Sequence, residues 1–270
     1  MNHNYLRYRI ATAAREIVYF PLDAVDLVAG YRPPGRRIFV GDGSWRGVGS
    51  EFLRIFRSEA NLLPHEHVLD VGCGIGRIAA GLTGYLRPPG SYLGFDIVRD
   101  GVAWCRKHIL SRHAHFSFEH ANIFNGHYNP SGTVRPSEYA FPCDDSSKDF
   151  VFLTSVFTHM LPADMDRYVR EIARVLRPGG RCLGTLFLLN EQTLHGIRTG
   201  KSVFPFVPHV ESLFVVHPSN PEAAIAYPEE SVRSILKANR LIIQEPVRYG
   251  SWSGARRHLS FQDIIIATKE

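Results

Sequence analysis

The sequence predicts an α/β fold, a mostly parallel sheet with helices on both faces. Three observations carry this. Short apolar strand patterns alternate with helical ones between His67 and Leu188, joined by brief Pro/Gly turns, as in successive βαβ units. The first of these strands runs straight into VLDVGCGIGR (Val68–Arg77), where three glycines at alternate positions mark a tight strand-to-helix turn. The last two strands, Leu241–Val247 and Leu259–Thr268, are separated by Arg248–His258, too short for a helical crossover, so they should pair antiparallel.

Taken in order, YLRYRIATAAREIVYF near the N-terminus reads as an amphipathic helix, broken by Arg7, Arg9 and Arg15. It is expected to pack as a cap, with peripheral contact to a membrane or partner as the alternative. YRPPGRR (31–37) is a break and Gly41–Gly49 a loop, before a helical pattern over Ser50–Asn61 with Phe52, Leu53, Ile55 and Phe56 inward. His67–Val71 is a strand and Arg77–Tyr85 the helix after it, stopped by Pro88-Pro89-Gly90. Strands Ser91–Ile97 and His115–His120 flank a helix at Val102–Ser111. A polar loop from Asn125 to Asp149 leads to strand Phe150–Thr154, helix Asp164–Val175 and, after Pro178-Gly179-Gly180, strand Arg181–Leu188. Asn190–Tyr227, rich in Pro and Phe, breaks the rhythm and reads as an insertion over the site; Glu229–Asn239 resumes a helix. The expected organisation is an N-terminal helical cap over 1–61 and a main domain over 62–270 that contains the insertion 190–227.

Composition narrows the function classes. With 270 residues, 44% of them hydrophobic and 11% aromatic, the chain has enough apolar surface for a large core. A net charge of +5 is spread along the chain, without the dense basic block of a nucleic-acid footprint. No apolar run reaches the roughly 20 residues of a membrane span, and no signal peptide is read at the N-terminus. The four cysteines, Cys73, Cys105, Cys143 and Cys182, form no C-x-x-C pair, so a reduced, cytoplasmic protein is expected.

The glycine turn admits three ligand classes. A P-loop needs Lys and Ser/Thr after its last glycine, and Arg77, Ile78 and Ala79 stand there instead. A dinucleotide fingerprint needs G-x-G-x-x-G, whereas Gly72-Cys73-Gly74-Ile75-Gly76 is G-x-G-x-G. Asp70, two residues before the first glycine, would repel a pyrophosphate yet suits backbone N–H groups or a ligand ammonium. Asp96 at the end of the second strand suits the two hydroxyls of a ribose, and the Asn122 amide oxygen suits an adenine amine. An amino-acid head, a ribose and an adenine without a phosphate make S-adenosylmethionine.

VLDVGCGIGR, YLGFDI, HANIF, FPCDDSSKDFVFLTSVFTHM and REIARVLRPGGR, in that order, resemble the class I S-adenosylmethionine-dependent methyltransferases over Val68–Leu188. The resemblance implies a Rossmann-like, seven-stranded sheet closed by a C-terminal antiparallel hairpin. More narrowly, FVGDG, NGHYNPSG, SVFTHM and SFQDIIIATK are similar to presumed sugar O-methyltransferases of polysaccharide and glycolipid pathways. The chain departs from such families at Asn122, where Asp is more usual; Asn keeps the acceptor oxygen. On this reading the cofactor set is Asp70, Gly72, Cys73, Gly74, Gly76, Arg77, Asp96, Ile97, Asn122, Ile123, Ser155 and Val156.

Methyl transfer to a carbohydrate hydroxyl calls for alignment and a general base near neutral pKa, for which histidine is suited. His159, after the fourth strand, is the leading candidate and His258, beside Arg256 and Arg257, the second; Glu245, in the penultimate strand, is a candidate carboxylate partner or a hydrogen-bonded edge residue. His65/His67 and His113/His115 have spacings that can bind metal but are expected to be solvent-exposed, and Asp144, Asp145 and Asp149 are the candidates for Mg²⁺. The loop Asn125–Tyr139 and the insertion are the expected acceptor surfaces, their aromatics either stacking on a sugar or closing a small core. A small-molecule or oligosaccharide acceptor is thus expected and nucleic acid is not. Lipids, quinones or secondary metabolites are the alternative acceptors, and a non-catalytic S-adenosylmethionine-binding protein is the alternative class.

Overall fold

The computed structural model describes residues 3–35, 38, 39, 41, 43–126, 128–210, 213–255 and 257–270. Its main sheet has seven strands: β1 (His67–Val71), β2 (Ser91–Asp96), β3 (Phe116–His120), β4 (Lys148–Leu153), β5 (Leu176–Leu186), β10 (Leu241–Ile243) and β11 (Asp263–Lys269). They lie in the order β10-β11-β5-β4-β1-β2-β3. β1/β2, β2/β3 and β4/β5 are parallel, while β11 runs antiparallel to both β5 and β10. The expected parallel sheet with an antiparallel C-terminal hairpin is therefore the observed one.

Two compact units make up the chain: Tyr8–Asn122, and Ile123–Glu270 with the start of the first helix. The first holds most of α1 (His3–Val28), α2 (Trp45–Glu59), α3 (Arg77–Leu82), α4 (Arg99–Cys105) and a π-helical turn, Arg106–Leu110. The division after Asn122 differs from a cap ending at residue 61, because α2 packs directly on α3. Gly49 and Gly81 permit that approach: a Cβ on Gly81 would lie 2.8 Å from the Gly49 carbonyl oxygen. α2 also begins inside the stretch expected to be a loop. Ser44 caps it, its hydroxyl accepting the N–H of Gly47 at 2.9 Å, so helix starts at Trp45 despite Gly47 and Gly49.

The second unit holds α5 (Pro162–Val175), α6 (Glu191–Arg198) and α7 (Glu229–Ala238). β5 begins at Leu176, not Arg181. Lys148 pairs with Leu176 and Phe150 with Arg181, so Pro178-Gly179-Gly180 bulges within the strand rather than preceding it. The insertion forms its own sheet, β6 (Leu188–Leu189), β9 (Ile225–Pro228), β8 (Phe214–Val215) and β7 (Val207–Pro208) in that order. It also contains α6, started by a reciprocal capping box between Asn190 and Thr193. Phe187, Leu189, Phe206, Ala226 and Trp252 make its buried core, with Phe204 and Phe261 packed edge-on against it.

Asp263, wholly buried at the start of β11, ties that core to the main sheet. Its carboxylate accepts N–H bonds from Gly250 (2.6 Å), Leu188 (2.7 Å) and the Trp252 indole (2.8 Å). Removing it orphans three buried donors at once. Asp263→Ala should lower unfolding stability by about 3 kcal/mol or more, read from the urea midpoint and accompanied by a shift in Trp252 fluorescence.

Candidate functional site

In the Tyr8–Asn122 unit the glycine turn closes the carboxyl end of β1. Gly72, Gly74 and Gly76 all have positive φ (81°, 57° and 83°), which side-chain-bearing residues rarely adopt. The N–H groups of Gly72 and Cys73 both donate to the Phe95 carbonyl (2.9 and 3.0 Å), stitching the turn to β2. Gly76 opens α3 and has no room for a side chain: a Cβ there would lie 2.7 Å from Cys105 Sγ. The third glycine thus permits close packing of the turn on the α4–π-helical segment.

Asp96 organises the turn from β2. Its Oδ2 accepts the Gly74 N–H and its Oδ1 the Val98 N–H, each at 2.7 Å. Of the turn amides expected to serve Asp70, Gly74's serves Asp96 and those of Gly72 and Cys73 serve the Phe95 carbonyl. Asp70, 1% exposed, is held by the Tyr92 hydroxyl, which donates to its Oδ2 at 2.6 Å. Its Oδ1 is buried without a hydrogen-bond partner. Tyr92 is a site residue that sequence reasoning missed. It sits on β2 two residues before Gly94, which pairs with Asp70, and its ring crosses the space a Cβ on Gly94 would fill, leaving 2.8 Å to the hydroxyl. Phe116 stacks on the same ring from β3 at 4.9 Å.

Burial pushes the Asp70 carboxyl up to about 8, against the pull of the Tyr92 hydroxyl, with the Asp96 charge adding to the rise. Burial likewise raises Asp96 to about 6, against the bonds from Val98, Gly74 and Ile97. At the adjoining strand end, the Ala121 N–H donates to the Asp96 carbonyl at 2.9 Å, and Asn122 is exposed at the rim. Ile97 is half-buried, its carbonyl 3.2 Å from His120 Nε2. Arg77 turns away from this set: its guanidinium donates to the carbonyls of Gly43 (3.3 Å) and Gly41 (3.5 Å). That geometry makes it a brace for the upstream loop, in which Val40 and Asp42 of the FVGDG motif lie outside the described residues.

In the Ile123–Glu270 unit, Ser155 follows β4 with φ 59°, a left-handed conformation costly for a non-glycine residue. Its N–H donates to Thr185 Oγ1 at 2.8 Å and its hydroxyl to Gln262 Oε1 at 3.2 Å, bonds that hold the strained turn. Val156 beside it is half-buried, and Ile123 is buried and bridged to Val134. His159 ends the 3-10 turn Phe157–His159, with Nδ1 2.7 Å from the Glu222 carbonyl oxygen and the Tyr128 ring edge-on at 5.7 Å. Only an Nδ1–H can bond that carbonyl, so the contact selects the tautomer with the lone pair on Nε2. Asn125 completes the support: its amide donates to Glu222 Oε1 at 3.1 Å and its carbonyl accepts the Tyr128 N–H at 2.8 Å. Asn125, Tyr128 and Glu222 were not singled out from the sequence, although NGHYNPSG spans two of them; His127 of that motif lies outside the described residues.

His258 and Glu245, the other catalytic candidates, have solvent-exposed surroundings. Glu245 lies beyond the end of β10, exposed and paired with Arg233 at 2.5 Å, which with its hydrogen bond holds the carboxyl below its usual range. It is a surface ion pair, not a proton acceptor poised near neutrality. His258 is an exposed loop residue with Nδ1 3.3 Å from the Ala255 carbonyl; Arg256 beside it lies outside the described residues. Of the two readings of the insertion's aromatics, Phe206 and Tyr227 follow the one that closes a small core, being 3% and 2% exposed. His113 and His115 are half-buried rather than exposed, His115 Nε2 lying 3.1 Å from the Leu86 carbonyl. Asp145 and Asp149 pair with Arg174 and Arg177.

Residues 69–184 match the family model described as a methyltransferase domain. The chain is 35% identical over 120 residues to a fatty-acid O-methyltransferase of Mycolicibacterium smegmatis, covering 44% of this chain and 36% of that one. It is 35% identical over 124 residues to phthiotriol/phenolphthiotriol dimycocerosates methyltransferase 1 of Mycobacterium ulcerans, covering 46% and 38%. The match thus spans little more than a third of the length of these two relatives. Magnesium protoporphyrin IX methyltransferase from Synechocystis PCC 6803 with bound SAH superposes with a TM-score of 0.53 at 17% identity, over 96% of this chain and 100% of that one. The fold is the Rossmann-like methyltransferase fold. The group it implies is S-adenosylmethionine, and the residues fit: the orphaned Asp70 Oδ1 is an acceptor for an ammonium, beside a turn that carries no side-chain bulk at Gly72, Gly74 or Gly76.

The raised carboxyls have a pH signature. A folded pKa above the unfolded one means the unfolded chain releases its proton first, so stability is lost as pH rises from about 4 through about 8. Asp70→Asn removes the largest such contribution. Without cofactor, its Tm relative to wild type should rise between pH 5 and pH 9 by several degrees, at about 2–4 °C per kcal/mol, measured by calorimetry.

Proposed function

We propose that the chain is an S-adenosylmethionine-dependent O-methyltransferase whose acceptor is a hydroxyl or carboxyl of a lipid or a small secondary metabolite. The observation that carries the cofactor assignment is Asp70: a carboxylate sealed in the sheet, bonded through one oxygen to Tyr92 and with the other unpaired. Asp70 would receive the amino group of the cofactor's amino-acid end, Asp96 the ribose and Asn122 the adenine amine. S-adenosylmethionine supplies the methyl group and its own leaving group. This chain's residues bind it, exclude water and align the acceptor.

For a hydroxyl acceptor, His159 takes the proton at Nε2; a carboxyl acceptor arrives ionised and needs only alignment. The Glu222 carbonyl supports that role by accepting from Nδ1–H, which keeps the basic nitrogen on the other side of the ring and stabilises the imidazolium once it forms. The lipid or metabolite acceptor is supported by the named substrates of the two sequence relatives and by the insertion, whose aromatics are spent on its own core. The carbohydrate acceptor expected from the narrower motifs has neither support.

Labelled methyl transfer from S-adenosylmethionine is measured, with and without EDTA, to lipid extracts, small phenols and short oligosaccharides. Label should enter the first two pools, and His159→Ala should reduce turnover about 10²-fold or more with cofactor affinity kept. Label confined to oligosaccharides overturns the acceptor. Full activity of the variant removes His159 from the role, and cofactor binding with no transfer to any pool favours a sensor.

A further inference from the structure

A helix on a protein surface ordinarily buries its apolar stripe and turns its charges to water. α1 does the opposite. Glu16, Tyr19, Asp23 and Asp26 recur at i, i+3, i+7 and i+10 and so share one face. That face meets the protein. Asp23 and Asp26 are 6% and 7% exposed. Asp23 accepts the backbone N–H groups of Trp45 (3.0 Å) and Arg46 (2.9 Å), the free donors at the start of α2. Asp26 takes the Arg46 guanidinium, and Glu16 accepts the Gly43 N–H at 3.2 Å. Asp23 and Asp26 are therefore committed inward, while Glu16 stays exposed with Gly43 as its partner.

The opposite face holds Ile10, Ile17, Val18, Pro21, Val25 and Val28, spaced i, i+7, i+8, i+11, i+15 and i+18. It is open: Ile17 is 74%, Val18 72% and Val28 91% exposed, with Phe20 beside them at 70%. An apolar stripe of this length and periodicity is larger than what a solvated surface carries by chance. No helix among the described residues is long and apolar enough to cross a membrane.

We propose that this outward face of α1 rests on an anionic membrane surface. Charge selects that occupant. The two buried acids of α1, Asp23 and Asp26, face away from the stripe, so they do not oppose an anionic surface. Its C-terminal end meets the α4–π-helical segment, where His108 Nδ1 lies 3.1 Å from the Gly30 carbonyl and Arg112 covers the Tyr31 ring at 4.5 Å. That segment presents Arg99, Arg106, Lys107 and Arg112 to solvent, the first three lining a shallow cleft of about 510 Å³. Apolar stripe and adjacent cations together fit acyl chains below and anionic headgroups above. A second copy would bring two cationic surfaces together.

The test does not depend on methyl transfer. The chain is sedimented with phosphatidylcholine vesicles, with and without phosphatidylserine, beside an Ile17→Glu/Val25→Glu double variant whose fold is checked by its unfolding midpoint. Wild type should partition onto phosphatidylserine vesicles about tenfold more strongly than the variant, and less at high salt. Failure of wild type to sediment with these vesicles, or equal partition of the two proteins, overturns the proposal. So does a dimer, seen by light scattering without lipid, that the variant abolishes.

Discussion

A carboxylate sealed inside a sheet must be answered by donors, and Asp70 is answered by half. Around that deficit the first unit is arranged. Val68, Leu69 and Val71 around it on β1 are apolar and buried, so Asp70 has no water to turn to. Tyr92 reaches it only because Gly94 leaves the lane between them empty, and Phe116 fixes the tyrosine ring from behind. Asp96 then takes the loop amide that would have satisfied Asp70, which leaves the turn folded and the first carboxylate still wanting a cation. Such unsatisfied groups persist where the surrounding structure over-determines them, and they mark ligand sites.

The second unit solves a different problem, which is to present an imidazole in one orientation at the end of β4. Ser155 absorbs a left-handed backbone there, held from its amide and its hydroxyl by Thr185 and Gln262 on neighbouring strands. The strain reverses the chain sharply enough to begin a 3-10 turn two residues later, and His159 is the turn's last residue. The insertion sheet supplies the support from Glu222, while Asp263 and Trp252 anchor its core. Local strain and long-range packing are thus linked through one short segment.

Much of this was legible in the chain because it rests on local rules. Alternating strand and helix patterns, glycines at a turn needing positive φ, and a connection too short for a crossover are all read within about twenty residues. Asp70 and Asp96 were visible for the same reason, as carboxylates at the ends of apolar strands. Tyr92 was not, since its role depends on the register that sets Gly94 opposite Asp70. Glu222 was not, because the bonding group is its backbone carbonyl, which every residue carries, brought 63 positions along the chain to His159. Glu245 and His258 looked chemical by residue type alone; solvent exposure and an arginine partner remove that character. The reversed polarity of α1 was hidden because periodicity shows that a stripe exists, not which way it faces.

The bond from His159 to Glu222 also makes the base conditional. A side-chain carboxylate in that place would hold the imidazole whether or not its own backbone were ordered nearby. A main-chain carbonyl has no such reach: it stands where it does only while the 3-10 turn Pro221–Ala223 and the strand after it are folded. The same residue's carboxylate binds Asn125, so the loop carrying Tyr128 is ordered by that turn as well. The orientation of the His159 ring therefore depends on the insertion: the Glu222 carbonyl meets Nδ1 only once the Pro221–Ala223 turn has folded.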